Sequence, residues 1–313
     1  MRVLFMGTPD FAAAILDKII QTGYEVIGVV TQPDKQKGRG QEMAFPPVKE
    51  LALKNGFTVY QPRKVREPEF ISIAKELNPD IIIVAAFGQI LPKVLLDIPP
   101  YGCINVHASL LPKYRGAAPI QYSIIEGEVE TGVTIMYMAE GIDTGDMIMQ
   151  AKIPIAPKET GGSLFDKLTI LGADVLMEAM KKIEDKTAER IPQDDSKATH
   201  VRILDKNMGN IDFTMPAIQI ERLIRGLNPW PSAYTFYNGK TLKLWQADVE
   251  EIADTEDNTA IPGEVIEVRK DAFAVMTGKG ILVIRELQLE GKKRMMAEAF
   301  LRGYSIKAGD KLG

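Results

Sequence analysis

The run Asp80-Ile81-Ile82-Ile83-Val84-Ala85-Ala86 is the strongest constraint on the fold. An unbroken β-branched series has no polar face, so a strand built from it must be covered on both sides. Doubly covered strands belong to parallel sheets whose crossovers are helices. The surrounding sequence supplies such crossovers. Val3 to Met6 reads as a short strand ending at Gly7, Phe11 to Ile20 as a helix, and Tyr24 to Thr31 as a second strand. A helix starts near Pro47, because proline is tolerated in a helix's first turn, and Glu67 to Leu77 is helical in pattern. Cys103 to Val106, Thr131 to Met138 and Met147 to Ile155 read as later strands. Ser163 to Ile183 forms a long amphipathic helix with Leu164, Leu168, Leu171, Val175 and Ala179 on one side. The expectation is an α/β chain whose residues 1–187 form a Rossmann-like domain with a mainly parallel sheet.

A length of 313 residues fits two domains better than one. Asp185 to Met208 is polar with little periodicity, so residues 188–207 read as a linker and 208–313 as a second domain. Pro216 to Leu227 looks helical there, and the two prolines of Asn228-Pro229-Trp230-Pro231 must interrupt regular structure. Short strands follow at Ala233 to Tyr237, Thr241 to Val249, Gly263 to Val268, Phe273 to Met276 and Ile281 to Leu289, with Asn238-Gly239 as a hairpin turn between the first two. Five such strands predict a small β-barrel of the oligonucleotide-binding (OB-like) type.

Composition excludes several classes. With 45% apolar and 26% charged residues the chain should fold, and no apolar run is long enough to span a membrane. The start lacks the apolar core and cleavage site of a signal peptide, which predicts a cytoplasmic protein. The single cysteine, Cys103, cannot form an internal disulfide, which fits a reducing compartment, and its apolar neighbours predict packing rather than chemistry. A net charge of −4 gives no global pull toward nucleic acid, so any such contact must be local. The first turn, Gly7-Thr8-Pro9-Asp10-Phe11, has one glycine where a dinucleotide loop needs three. No phosphate-binding loop, no cysteine–histidine cluster and no G-x-S-x-G elbow occurs, so ATP, a metal and a serine nucleophile are not expected.

Chemistry concentrates in Asn105-Val106-His107-Ala108-Ser109-Leu110-Leu111-Pro112. On a strand Asn105 and His107 share a face, with Ile104 and Val106 on the other. An amide donor beside an imidazole can stabilise an oxyanion and move a proton, which acyl-type transfer requires. A lone histidine near a strand end is more often a hydrogen-bonded structural residue, so context must decide. Both this segment and Phe87-Gly88-Gln89 fall at carboxyl ends of strands, where open α/β sheets bind ligands. In Gly141-Ile142-Asp143-Thr144-Gly145-Asp146, two glycines bracket Asp143 and allow a sharp turn. Asp143 either caps that turn or orients His107.

These residues resemble the folate-dependent formyltransferase family. The resemblance rests on Asn105, His107 and Asp143 and on the string His107 to Ile120. It extends to the Gly7-Thr8-Pro9-Asp10-Phe11 start, Phe87-Gly88-Gln89-Ile90-Leu91-Pro92 and Asn228-Pro229-Trp230-Pro231, and so covers the whole chain. It implies formyl transfer from 10-formyltetrahydrofolate to the α-amine of methionine on initiator tRNA, with Asn105, His107 and Asp143 catalytic. Ser109, Leu110, Leu111 and Pro112 would wall the folate site, with Phe87, Gln89 and Ile90 near its pterin. The long connection from Thr31 to Pro47, with Lys35, Lys37 and Arg39, matches the family's loop for the acceptor end of the tRNA. Lys292, Lys293 and Arg294 form a second basic cluster for tRNA phosphates. An acidic stretch, Asp248 to Asp257, is expected on a solvent-facing loop. A monomer free of membrane contact is expected. The same three catalytic residues also serve family members that formylate glycinamide ribonucleotide or nucleotide-linked amino sugars; the basic loop and barrel-like tail favour tRNA without excluding the sugar. A folate- or RNA-binding module without chemistry would not need all three.

Overall fold

The computed structural model describes residues 1–37, 42–251 and 260–313. They form two compact units. The first comprises residues 1–119, 130–154 and 165–202; the second takes residues 120–129, 155–164 and 203–313.

In chain order the first half runs β1 (Arg2–Gly7), α1 (Asp10–Gln21), β2 (Glu25–Val30), β3 (Lys35–Lys37), β4 (Glu42–Ala44), α2 (Pro47–Lys54), β5 (Val59–Tyr60) and α3 (Pro68–Leu77). Then come β6 (Ile81–Ala85), α4 (Lys93–Leu96), β7 (Cys103–His107), β8 (Arg115–Gly116), α5 (Pro119–Ile125), β9 (Glu130–Tyr137), β10 (Met147–Pro154), α6 (Gly161–Glu184) and β11 (His200–Val201). The main sheet has the order β10-β9-β7-β6-β1-β2-β5. Its β7-β6-β1-β2-β5 part is parallel, and β9 and β10 add antiparallel strands beyond β7.

Every residue of β6 is buried, as its apolar run requires. One face of the sheet turns Leu4, Met6, Ile82, Val84 and Cys103 into a core with Phe70 and Ala74 of α3 and Leu95 of α4. On the other face Val106 meets Gly172 of α6, where a Cβ would lie 3.2 Å from its methyl and close to Ile15 and Phe11 of α1. Burial pushes the Cys103 thiol up to about 12, so it stays protonated and inert.

The connection from Thr31 to Pro47 holds a short antiparallel pair, β3 with β4, running from Lys35↔Ala44 to Lys37↔Glu42. Its lysines and glutamate give no apolar alternation, so the pairing leaves no signal in the pattern. Lys49 anchors its base, bonding Asp34 (2.6 Å) and Gln61 and lying 4.1 Å from the Phe45 ring centre.

The second unit contains α7 (Ala217–Gly226), β12 (Ala233–Tyr237), β13 (Lys240–Glu250), β14 (Val265–Val268), β15 (Phe273–Met276), β16 (Ile281–Leu289), β17 (Met295–Met296) and α8 (Ala297–Leu301). Its antiparallel sheet runs β12-β13-β16-β15-β14, with β17 paired to β16. Ile220 and Ile224 of α7 and Phe300 of α8 share a core with Leu242, Leu244, Phe273 and Ile284 from the strands. The acidic stretch departs from expectation at its start. Asp248 and Glu250 lie on β13, because alternation with Ala247 and Val249 continues the strand. Asp248 bonds Lys158 (2.7 Å) and Arg285 (2.9 Å), and Glu250 binds Arg269 through both oxygens. Residues 252–257 lie outside the described residues. No helix among the described residues is long and apolar enough to cross a membrane.

Candidate active site

Strand β7 ends at His107, with Asn105 and His107 on the face opposite Val106. Across the sheet His107 stands opposite Thr134 of β9, and Thr134 opposite Gln150 of β10. Asp143 comes from the connection between β9 and β10. It adopts a left-handed backbone (φ 53°), a conformation aspartate tolerates better than most residues. Gly145 lets this loop close, since a Cβ there would fall onto the carbonyl oxygen of Tyr137.

Three groups converge on the Asp143 carboxylate. Asn105 Nδ2 donates to Oδ1 (3.3 Å), the Gly116 N–H donates to Oδ2 (2.9 Å), and His107 Nδ1 stands 3.6 Å from Oδ2. The His107 and Asp143 side chains are 6% and 16% exposed, so the pair is little hydrated. His107 Nε2 lies 2.9 Å from the carbonyl oxygen of Tyr114. A carbonyl only accepts, so the neutral ring carries its proton on Nε2. Nδ1, beside the carboxylate, is then the nitrogen that can take up a proton, and Asp143 would stabilise the resulting imidazolium. At 3.6 Å the pair is too long for a hydrogen bond.

The segment after β7 is fixed by buried hydrogen bonds. Thr134 Oγ1 donates to the Ser109 carbonyl (2.6 Å) and accepts from the Leu111 N–H (3.1 Å) and from Gln150 Nε2 (2.9 Å). Gln150 also donates to the Leu111 carbonyl, and Ser109 Oγ to that of Lys113. Ser109 and Leu111 are therefore buried framework, whereas Leu110 and Pro112 are half-buried at the surface of the segment. After β6, Ala86 takes a left-handed conformation (φ 43°) and is exposed, as is Ile90 at 67%. Phe87 turns into the core, and Gln89 is committed to the backbone of Val65 and Arg63.

The basic residues are scattered. Lys35 is exposed on β3; Arg39 lies outside the described residues. Lys292 and Lys293 are exposed in the turn between β16 and β17. Arg294 binds Glu286 and lies 4.7 Å from the Trp245 ring centre. Among the described residues, no group of three or more His, Cys, Asp or Glu side chains could hold a metal. A broad depression lined by Met1, Tyr24, Asp80, Lys181 and Glu184 sits at the amino ends of β1, β2 and β6, away from the Asp143 cluster at the carboxyl end of β7.

The formyl transferase family model matches residues 1–180, and the model of the formyl transferase C-terminal domain matches 203–305. The methionyl-tRNA formyltransferase of Agathobacter rectalis is 57% identical over 309 residues, covering 99% of this chain and 98% of the relative. That of Clostridioides difficile is 50% identical over the full length of both. The chain belongs to the methionyl-tRNA formyltransferase family. The fold is shared more widely among formyltransferases. A solved N-formyltransferase from Helicobacter canadensis, bound to folinic acid and dTDP-3-aminofucose, superimposes with a TM-score of 0.66 at 21% identity, covering 90% of this chain and 98% of that one. HypX from Aquifex aeolicus, bound to tetrahydrofolic acid, gives 0.62 at 18% identity, covering 97% of this chain and 47% of that one.

In this formyltransferase the residues that hold the site are harder to read from sequence than those that form it. Thr134 left a faint signal, a hydroxyl inside the apolar run Val133-Thr134-Ile135. Gln193 left none, because glutamine in a polar stretch has no periodic signature, and Gln150 reads only as one polar position on the strand from Met147.

Proposed function

We propose that this chain transfers the formyl group of 10-formyltetrahydrofolate to the α-amine of methionine on initiator tRNA, giving N-formylmethionyl-tRNA for translation initiation, and that it does so as a cytoplasmic monomer. The observation that carries the reading is the convergence of Asn105, His107 and Gly116 on Asp143 at the carboxyl end of β7.

The amine nitrogen bonds to the formyl carbon and the carbonyl oxygen becomes an oxyanion. Asn105 donates an amide N–H to that oxygen. His107 Nδ1 takes the proton that the attacking nitrogen sheds, and Asp143 stabilises the imidazolium. The carbon–N10 bond of the folate then breaks, the carbonyl reforms, and N10 receives a proton from the imidazolium. Folate fits this end of the sheet chemically: Ile90, Leu110 and Pro112 offer apolar surface for a flat ring system. Ser109, Leu111, Phe87 and Gln89 support that surface from beneath. Lys35, Lys37 and Arg39, and separately Lys292, Lys293 and Arg294, are assigned to tRNA phosphates.

The test offers labelled 10-formyltetrahydrofolate with methionine-charged initiator tRNA, or with a sugar-nucleotide amine. Label in the aminoacyl-tRNA alone supports the reading. Transfer to the sugar alone would move the acceptor, and no transfer to either would reject it.

A further inference from the structure

We propose that Gln193 is a positioning residue that sets the place of Asp143, so that residues 190–201 act as a strap closing the active site rather than as a passive connection. The proposal rests on the catalytic role of Asp143 given above.

The strap is bonded to both walls of the site. On one wall Arg190 stacks its guanidinium on the Tyr137 ring (3.8 Å) and faces Asp146, and Ile191 exchanges both backbone hydrogen bonds with Met147. On the other, the Thr199 carbonyl accepts from Arg115 N, its hydroxyl accepts from Tyr114 N, and β11 pairs with β8 in parallel. The segment Tyr114-Arg115-Gly116 is the one that touches both catalytic partners. The Tyr114 carbonyl accepts from His107 Nε2, and the Gly116 N–H donates to Asp143.

Gln193 joins the two walls through one side chain. Its Nε2 donates to the carbonyls of Asp143 and Gly145, each at 2.8 Å. Its Oε1 accepts from Arg115 Nε (3.1 Å) and Nη2 (2.8 Å). Arg115, only 4% exposed, is fixed further by Asp195 at 2.7 Å. All four hydrogen-bonding capacities of the amide are therefore committed. The two carbonyls it holds flank the turn in which Asp143 has positive φ, a conformation that needs outside support in a residue other than glycine. Without those donors the turn can relax and carry the carboxylate away from His107. A displacement of about 1 Å at a reacting group can cost about a hundredfold in rate.

Gln193→Glu separates positioning from folding. The carboxylate still accepts from Arg115 but has no N–H for the Asp143 and Gly145 carbonyls. Gln193→Leu removes both sets. Single-turnover transfer should fall about 10- to 100-fold in Gln193→Glu, with folate affinity close to the parent's and a cooperative melting transition retained. The same substitution placed on Asp143→Ala should cost less than about twofold more, because residues acting through one group are not additive. Parent-like turnover in Gln193→Glu overturns the proposal. So does an additive loss in the double variant, or a loss that melting temperature and folate affinity follow in step. Near-normal turnover of Asp143→Ala would instead reject the catalytic reading itself. If Gln193→Leu does not fold, the Gln193→Glu pair still decides.

Discussion

Replacing Thr134 by valine removes one hydroxyl and almost no volume, so its consequence can be worked from the hydrogen bonds alone. That hydroxyl serves the Ser109 carbonyl and the Leu111 N–H, both buried, and Gln150 from the edge. Leaving a buried polar group unsatisfied costs about 1–3 kcal/mol. Two such groups, partly offset by the added apolar methyl, bring the expected loss to about 2–4 kcal/mol. For a unit of this size that lowers the melting temperature of its transition by about 5–15 °C. Folate should also bind more weakly, because this anchor is one of the bonds that fix the segment carrying Leu110 and Pro112. Thr235→Val is the internal contrast. Thr235 is equally buried, on β12 of the second unit, but its hydroxyl has no partner among the described residues. There the substitution should be neutral or stabilising, since it removes an unpaired polar atom. Thermal and urea unfolding of the full chain measure both. A Thr134→Val protein melting within about 2 °C of the parent, or a Thr235→Val protein losing as much as Thr134→Val, would refute the assignment of stability to hydrogen-bond satisfaction.

Two further outcomes follow from charge. Asp248 is held below the usual carboxylate range by hydrogen bonds from Lys158 and Arg285 and by their charges. A depressed carboxylate contributes stability that is complete above its unfolded value and is lost as pH falls through its folded value. Asp248→Asn should therefore be less stable than the parent at pH 7, with the two unfolding curves converging in acid; a gap that persists at pH 2 would contradict this. Arg39→Ala, and Lys292→Ala with Lys293→Ala, should weaken formylation of charged tRNA more than folate binding and flatten its salt dependence; a salt-independent tRNA affinity in the parent would count against both basic clusters.

The alternation of doubly buried strands and amphipathic helices was legible because burial writes itself into sequence as periodicity. Ile81–Ala85 and Gly161–Glu184 emerge within a few residues of their expected limits. The β3–β4 pair was not legible, since its lysines carry no such period. Asn105, His107 and Asp143 could be singled out because their residue types and flanking glycines are informative, and the fold brings them within 3.6 Å. The residues that fix them were not legible. Gln193 lies 50 positions from Asp143 in a polar stretch, and the Ile191–Met147 bridge and the β8–β11 pairing make them neighbours. For the same reason the split into outward-facing and supporting apolar side chains needed coordinates. Phe87 and Leu111 are as apolar as Ile90 and Leu110, yet turn inward.

The proposed role of Asp143 is to set a negative charge beside His107 Nδ1. Asp143→Asn keeps the shape of the turn and an oxygen to accept from Gly116, but removes that charge. Its single-turnover rate of formyl transfer to methionyl-tRNA, measured with folate affinity in parallel, is the most direct test. A loss of about 100- to 1000-fold with folate binding unchanged is expected; a rate within a few-fold of the parent's would contradict that role.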